Sequence, residues 1–253
     1  MLEGEELNLI LYSPIFFMAL PFFYSNQIKP GDSIFVLNEE TSKHVVQVLR
    51  MQNGEQLQLT DGNGNLFSAC ITDNNRKRCT VNILETTHIQ PTTAKITIAI
   101  SPVKNSSRFE WFLEKATEIG VTAIIPLICT RTEKQHFRHD RMQAILISAM
   151  LQSQQTLLPQ LSEPVKFTGA ISQAAEQQKF IAHCEDENNK MQLTAQLLNH
   201  STPALILIGP EGDFTKEEIQ QALQNNFIPV ALGNTRLRTE TAGIVAATLL
   251  RLV

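Results

Sequence analysis

Two stretches near the carboxyl end bring glycines, backbone amides and charged side chains together in the spacing that a ligand pocket uses. The first reads Ala204-Leu-Ile-Leu-Ile208-Gly209-Pro210-Glu211-Gly212-Asp213-Phe214-Thr215-Lys216-Glu217-Glu218. Its apolar opening is a buried-strand signal, and Thr215 with Glu218 three residues on is a capping-box signature that starts a helix. A glycine-flanked loop at the carboxyl end of a strand lets a small molecule approach the backbone and meet its amides. The bland reading, with equal weight on the loop alone, is that Gly209 and Gly212 only permit a tight turn. No Gly-Lys-Ser/Thr follows, so this is not a phosphate-binding P-loop. The second stretch, Val230-Ala231-Leu232-Gly233-Asn234-Thr235-Arg236-Leu237-Arg238-Thr239-Glu240-Thr241-Ala242-Gly243, is again strand, polar loop and apolar helix. Thr239 or Thr241 can cap that helix. Caps do not account for Arg238 and Glu240, a charged pair suited to stiffening the loop or meeting a charged substrate.

The elements that carry these loops alternate. Strands are predicted at residues 95–100, 122–127, 179–183, 204–208 and 229–232, with helices between them, which argues for an α/β unit with a mainly parallel sheet. One helix, 108–120, lines up Phe109, Phe112, Leu113, Ala116 and Ile119 on one face and stops at Gly120; its Trp111 is expected as a partly buried anchor. A second, 140–152, buries Met142, Ile145, Leu146, Ala149 and Met150. Ahead of the linker 86–93 the pattern differs. Residues 30–85 read as short strands around the turn Asp61-Gly62-Asn63-Gly64, with one helix at 40–50, a small barrel-like β domain. The Gly62-Asn-Gly64 string lacks a third glycine and opens no helix, so it is not a dinucleotide fingerprint.

The chain has 253 residues, 43% of them hydrophobic, enough for a substantial core and a smaller companion domain. Four scattered cysteines, Cys70, Cys79, Cys129 and Cys184, form no C-x-x-C pair, and reduced thiols in a cytosolic protein are expected. The apolar run from Leu7 to Phe23 follows Glu3, Glu5 and Glu6 and is broken by Pro14 and Pro21, unlike a signal peptide or spanning helix. Residues 1–17 are expected to be an extension upstream of Met18. A net charge of −4 runs against nucleic-acid binding, yet the basic residues are clustered. Lys43, His44 and Arg50 lie together, Arg76, Lys77 and Arg78 are consecutive, and Arg131, Lys134, His136, Arg138, His139 and Arg141 fall within eleven positions; such patches can hold phosphates or be ordinary solvated loops.

The segments ILIGPEGDF and LGNTRLRTETAG resemble the two signature loops of the 16S ribosomal RNA uracil-N3 methyltransferases, members of the SPOUT superfamily. EKATEIG ending at Gly120, Gln152-Ser153 with Pro159, HVVQVLRM at 44–51 and LTDG at 59–62 agree in the same order. The resemblance implies a PUA-like RNA-binding β-barrel domain at 18–90 and a SPOUT α/β domain at 91–253 with a deep C-terminal trefoil knot, a rare exception to unknotted topology. It further implies a cytoplasmic homodimer that acts on 16S rRNA of the small ribosomal subunit, with no membrane or DNA partner and no metal. S-adenosyl-L-methionine would be the cofactor, held by Ile208, Gly209, Pro210, Glu211, Gly212, Leu232, Gly233, Leu237, Arg238, Thr239, Thr241 and Ala242, with His183 as a third wall. Arg238 is the expected stabiliser of charge on the uracil; Glu240 is either the base or the carboxylate that fixes Arg238. Arg50, Arg76, Lys77, Arg78, Arg131 and Arg138 would meet RNA. This chain departs from the family in two places: Asp213 stands where a glycine is common, and Gln154-Gln155-Thr156 stand where an arginine is common. The rival readings are a non-catalytic RNA-binding or ribosome-assembly protein on the same fold, and a dinucleotide enzyme, which Ser101-Pro102 after the first α/β strand disfavours.

Overall fold

The structure is a computed structural model that describes residues 20–90, 94–133, 136–185, 190–198 and 202–252. Residues 1–17 and Lys134 therefore lie outside the described residues. The first half contains β1 (Phe22–Tyr24), β2 (Ile34–Val36), α1 (Glu39–Lys43), β3 (Gln56–Thr60), β4 (Asn65–Asp73) and β5 (Thr80–His88). The second contains β6 (Ile96–Ile100), α2 (Ser106–Ile119), β7 (Ala123–Ile128), α3 (His139–Gln152), β8 (Gln160–Leu161), β9 (Val165–Lys166), α4 (Phe167–Gln173), β10 (Gln178–Ala182), β11 (Met191–Gln192), α5 (Leu193–Gln196), β12 (Ala204–Ile208), α6 (Lys216–Gln224), β13 (Ile228–Ala231) and α7 (Thr239–Leu252).

The first sheet has the order β1-β3-β4-β5-β2, with β1 and β2 at its two ends. The β3–β4 connection is the expected hairpin, with Leu57, Leu59, Phe67, Ala69, Ile71 and Val81 fully or almost fully buried. The Asp61 carboxylate organises the turn, accepting from the Asn63 and Asn65 amides at 2.8 and 3.2 Å, while Gly62 and Gly64 take positive φ. This turn also joins the two halves. The Gly64 amide donates to the Thr156 carbonyl at 2.9 Å, the Leu158 amide to the Gly62 carbonyl at 2.8 Å, and the Thr60 hydroxyl to the Thr156 carbonyl at 3.2 Å. The glycine string is thus a structural joint. The single helix expected at 40–50 divides into α1 and a π-helical turn, His44–Val48, after which Arg50 sits at φ 57°.

The second sheet runs β11-β13-β10-β12-β6-β7-β8, and every pairing in it is parallel. Its central strands ITIAI and ALILI are buried at every position, because helices cover both faces and leave no polar side to alternate with. Ile206 and Ile208 share one core with Ile98 of β6 and with Phe109, Phe112, Met142, Ala246 and Leu250 from α2, α3 and α7. Leu205 and Leu207 point the other way, to Phe167, Phe214 and Ile219 around α4 and α6. The α2 helix ends at Gly120 with φ 93°, as expected, but Trp111 is no partly buried anchor: it is 43% exposed, because the buried stripe of Phe109, Phe112, Leu113 and Ala116 turns it outward. Among the described residues no helix is long and apolar enough to cross a membrane.

The packing of α7 on α2 and β6 depends on Gly243, where an added Cβ would meet the Phe112 ring at 2.6 Å and Ile100 at 2.8 Å. Overpacking a core costs about 1–3 kcal/mol, more than the roughly 0.5–1 kcal/mol that alanine gains over glycine in a helix. Gly243→Ala is therefore expected to lower the urea midpoint without changing the slope of the transition; an unchanged or raised midpoint would show that α7 can shift to absorb the methyl.

Candidate functional site

Strands β13, β10 and β12 are adjacent and parallel, in register Ala182↔Val230 and Ala182↔Ile208. Their carboxyl ends therefore emerge side by side, and the loops that follow them converge. Two adjoining cavities open there, of about 410 and 540 Å³, and share Ala182, Cys184, Arg236, Leu237 and Ala242. Their combined size suits a small organic ligand, whose sites are typically about 300–1,000 Å³. The first is lined by Ile208, Gly209, Pro210, Glu211, Arg238 and Thr239, and the second by His183, Leu232 and Gly233. Eleven of the anticipated ligand residues are thus gathered from three separate loops. Gly212 and Thr241 line neither cavity.

The glycines divide into two kinds. Gly233 has φ 128° and nothing within 4 Å of an added Cβ, so its backbone conformation demands glycine and leaves open space beside it. Gly209 needs no positive φ; its hydrogen makes room for the Phe214 ring, which an added Cβ would meet at 3.0 Å. Both readings of the first loop therefore apply, to different residues.

The loops are fastened to each other and to the body. The Thr239 hydroxyl donates to the Gly209 carbonyl at 3.1 Å, tying the two signature segments together instead of capping α7. Arg131 Nη1 donates to the carbonyls of Gly212 at 2.6 Å and Phe214 at 3.4 Å. The capping box of α6 is present, and Glu218 extends it: its other oxygen accepts from the Thr130 amide and hydroxyl at 2.8 and 3.0 Å. Each bond contributes about 0.5–1.5 kcal/mol, so several together hold a loop that would otherwise stay open to many conformations.

The charged residues sort differently from their order in sequence. Glu240 pairs with Arg108 Nε at 3.6 Å, not with Arg238, and its side chain is 7% exposed. Its second oxygen has no hydrogen-bond partner among the described residues, an unfavourable state for a buried carboxylate. Arg108 also reaches Glu211 at 3.5 Å and lines the cavity, whereas Arg238 stands exposed at the rim. Arg108, Cys184, Asp213 and Arg236 are cavity residues that motif reading passes over. For Arg108 a signal existed: it is a cation in the first turn of a helix, the end whose dipole disfavours positive charge.

The basic residues are also redistributed. Arg50 follows the π-helical turn and Arg76, Lys77 and Arg78 form the exposed β4–β5 turn. Asn74 donates to the Gln52 side chain at 3.1 Å, which draws these two segments to one end of the first sheet. Lys43 joins them: its ion pair with Glu39 at 2.8 Å, assisted by Lys77, holds the Glu39 carboxyl below its ordinary range. The 131–141 stretch is instead largely spent within the chain, with Arg131 on the Gly212 loop, His139 at the Leu161 carbonyl and Arg141 bidentate on Glu110. Arg138 lines a separate cavity of about 300 Å³ beside Phe109 and Met142.

The family model described as an RNA methyltransferase domain matches residues 90–251, and that of an RNA methyltransferase PUA domain matches residues 37–84. The ribosomal RNA small subunit methyltransferase E of Synechocystis sp. is 33% identical over 208 residues, 80% of this chain and 68% of the relative. A crystal structure of a "probable rRNA-methyltransferase" from Porphyromonas gingivalis superimposes with a TM-score of 0.84 at 38% identity, covering 90% of this chain and 95% of that one. The ribosomal RNA small subunit methyltransferase E of Neisseria gonorrhoeae, bound to S-adenosyl methionine, superimposes with a TM-score of 0.80 at 30% identity over 90% of this chain and 95% of that one.

All four cysteines are free, but they differ in access. Burial pushes the Cys129 thiol well above its ordinary range, with Glu218 adding to the effect, and burial raises Cys79 as well. Cys184 is exposed in the cavity wall. Since the thiolate is the reactive form, brief alkylation at neutral pH followed by peptide mass mapping should label Cys184 well before Cys79 or Cys129. Equal labelling of the three would contradict this arrangement.

Proposed function

The chain belongs to the RNA methyltransferase family that includes the ribosomal RNA small subunit methyltransferases E, and we propose that it transfers a methyl group from S-adenosyl-L-methionine to N3 of a uridine in 16S rRNA. The observation that carries this reading is the convergence of the loops after β10, β12 and β13 on one pair of cavities flanked by arginines. The residues present fit the cofactor. Ile208, Leu232, Leu237 and Ala242 supply apolar walls for an adenine, Gly233 leaves space beside its backbone, and the Gly209–Glu211 backbone can meet polar edges. When bound, the cofactor supplies an electrophilic methyl on a sulfonium.

The protein's own task is to hold the uracil nitrogen in line with that methyl and to accommodate the N3 proton. Arg238, exposed at the rim, is placed to stabilise negative charge developing on the uracil carbonyls. Glu240 acts through Arg108, fixing its guanidinium at the cavity wall while Glu211 holds it from the other side. RNA is engaged by the end of the first sheet that carries Arg50, Arg76, Lys77 and Arg78, with Arg138 as a further contact and Arg131 serving first as the loop's fastening. A division into 18–90 and 91–253 is part of the same proposal, supported by family models that match residues 37–84 and 90–251. A trefoil knot formed by the loop and helix after β13, a homodimer and a cytoplasmic location complete the reading.

Three outcomes test it. Arg238→Ala should lower methylation by roughly 100-fold or more while weakening donor binding much less; unaltered turnover would remove Arg238 from the reacting centre. Binding of a 16S rRNA fragment should weaken steeply as salt rises through the physiological range, by about a decade or more for a surface making several phosphate contacts; insensitivity to salt would exclude the basic end of the first sheet. Ribosomal RNA from cells lacking the protein should lose one N3-methylated uridine, and an unchanged modification map would leave the non-catalytic RNA-binding reading standing.

A further inference from the structure

One residue in the first signature loop does what no glycine there could do. The positive φ of the segment Gly209–Phe214 falls on Asp213, at 64°, although glycines stand nearby. A non-glycine residue in the left-handed region is strained, and such residues persist where the surroundings over-determine them. Asp213 is held from three directions. Its amide donates to the Pro210 carbonyl at 2.9 Å, one carboxylate oxygen accepts from the Phe214 amide at 2.8 Å, and the other reaches across to the Cys184 amide at 2.7 Å. The last bond matters most, because Cys184 lies two residues past the end of β10 whereas Asp213 follows β12. It links the loops after two adjacent strands at the wall of the same cavity, which Asp213 and Cys184 both line.

Resting on the methyl-donor reading, we propose that Asp213 is a positioning residue for the cofactor: a brace that sets the spacing between the Ala182–Cys184 wall and the Gly209–Glu211 wall. Thr239 on Gly209 and Arg131 on Gly212 hold the loop from the sides of α7 and β7, but neither reaches the β10 wall. Only the Asp213 carboxylate closes that gap among the bonds described around the loop.

The brace makes stability and affinity move apart, which a purely structural residue would not. Asp213→Gly relieves the left-handed strain and removes the carboxylate. The full-length variant should melt close to the parent protein, because relief of the strained backbone offsets lost bonds of similar size, yet bind S-adenosyl-L-methionine about tenfold more weakly by calorimetric titration, because the loosened loop must then be ordered on binding. In methylation assays KM for the donor should rise while kcat at saturating donor stays close to the parent value. Asp213→Asn tolerates positive φ and keeps an oxygen that can accept from Cys184, so it should recover part of the affinity. Donor binding by Asp213→Gly equal to that of the parent, an Asn variant no better than Gly, or a fall in melting temperature that tracks the loss of affinity would each overturn the brace. Failure of the parent protein itself to bind the donor would instead overturn the methyltransferase reading and the brace with it.

Discussion

The parallel pairing of β13, β10 and β12 is the constraint on which the site rests. Backbone hydrogen bonds fix the three strands in register, so Ala182, Ile208 and Val230 end at the same level of the sheet. Loops that are up to about fifty residues apart in sequence must then share one rim. Full burial of the central strands, with α2, α3 and α7 on one face and α4 and α6 on the other, makes that register costly to change, since a slip would move every apolar side chain to the wrong layer.

Converging loops are not yet a site, because each could sample many conformations. Here they are fastened by short polar bonds from rigid elements: Thr239 at the head of α7, Arg131 after β7, Glu218 in α6 and Asp213 within the loop itself. Two of these acceptors, the Gly209 carbonyl and the Glu218 carboxylate, are buried and would otherwise be left unpaired there. The same bonds that satisfy them also shape the cavity. The charged side chains follow a similar logic. Arg108 draws Glu211 and the buried Glu240 to itself, leaving Arg238 and Arg236 exposed at the rim, where an anionic substrate would arrive.

The first sheet contributes through its attachment. Its β3–β4 turn is pinned to residues 156–158 by backbone bonds in both directions, so its basic end is held in a definite relation to the second sheet. On the proposed reading, an RNA-binding surface and a methyl-transfer pocket act on one polymer at a distance set by the protein. That reading is compatible with a net charge of −4, since only the local field at the contact surface has to be positive.

Local chemistry was sufficient for much of this. The Asp61-Gly62-Asn63-Gly64 hairpin, the Thr215/Glu218 box and the Gly120 stop are each decided by bonds within a few residues and the central strands by their apolar runs, and each is legible in the sequence, as are half of the residues lining the two cavities. The break of the 40–50 helix into a π-turn, the exposure of Trp111 and the partners of the charged side chains were not. Glu240 is two residues from Arg238 along the chain yet meets Arg108, and Asp213 bonds an amide twenty-nine positions earlier. Which charge finds which partner depends on where the sheet and the helices around it place distant segments, and that is settled by burial and register across the whole domain. The elements and the loops that carry chemistry can be read along the chain; how they are fastened emerges only in three dimensions, because hydrogen bonds and ion pairs select by distance in space and not by separation in sequence.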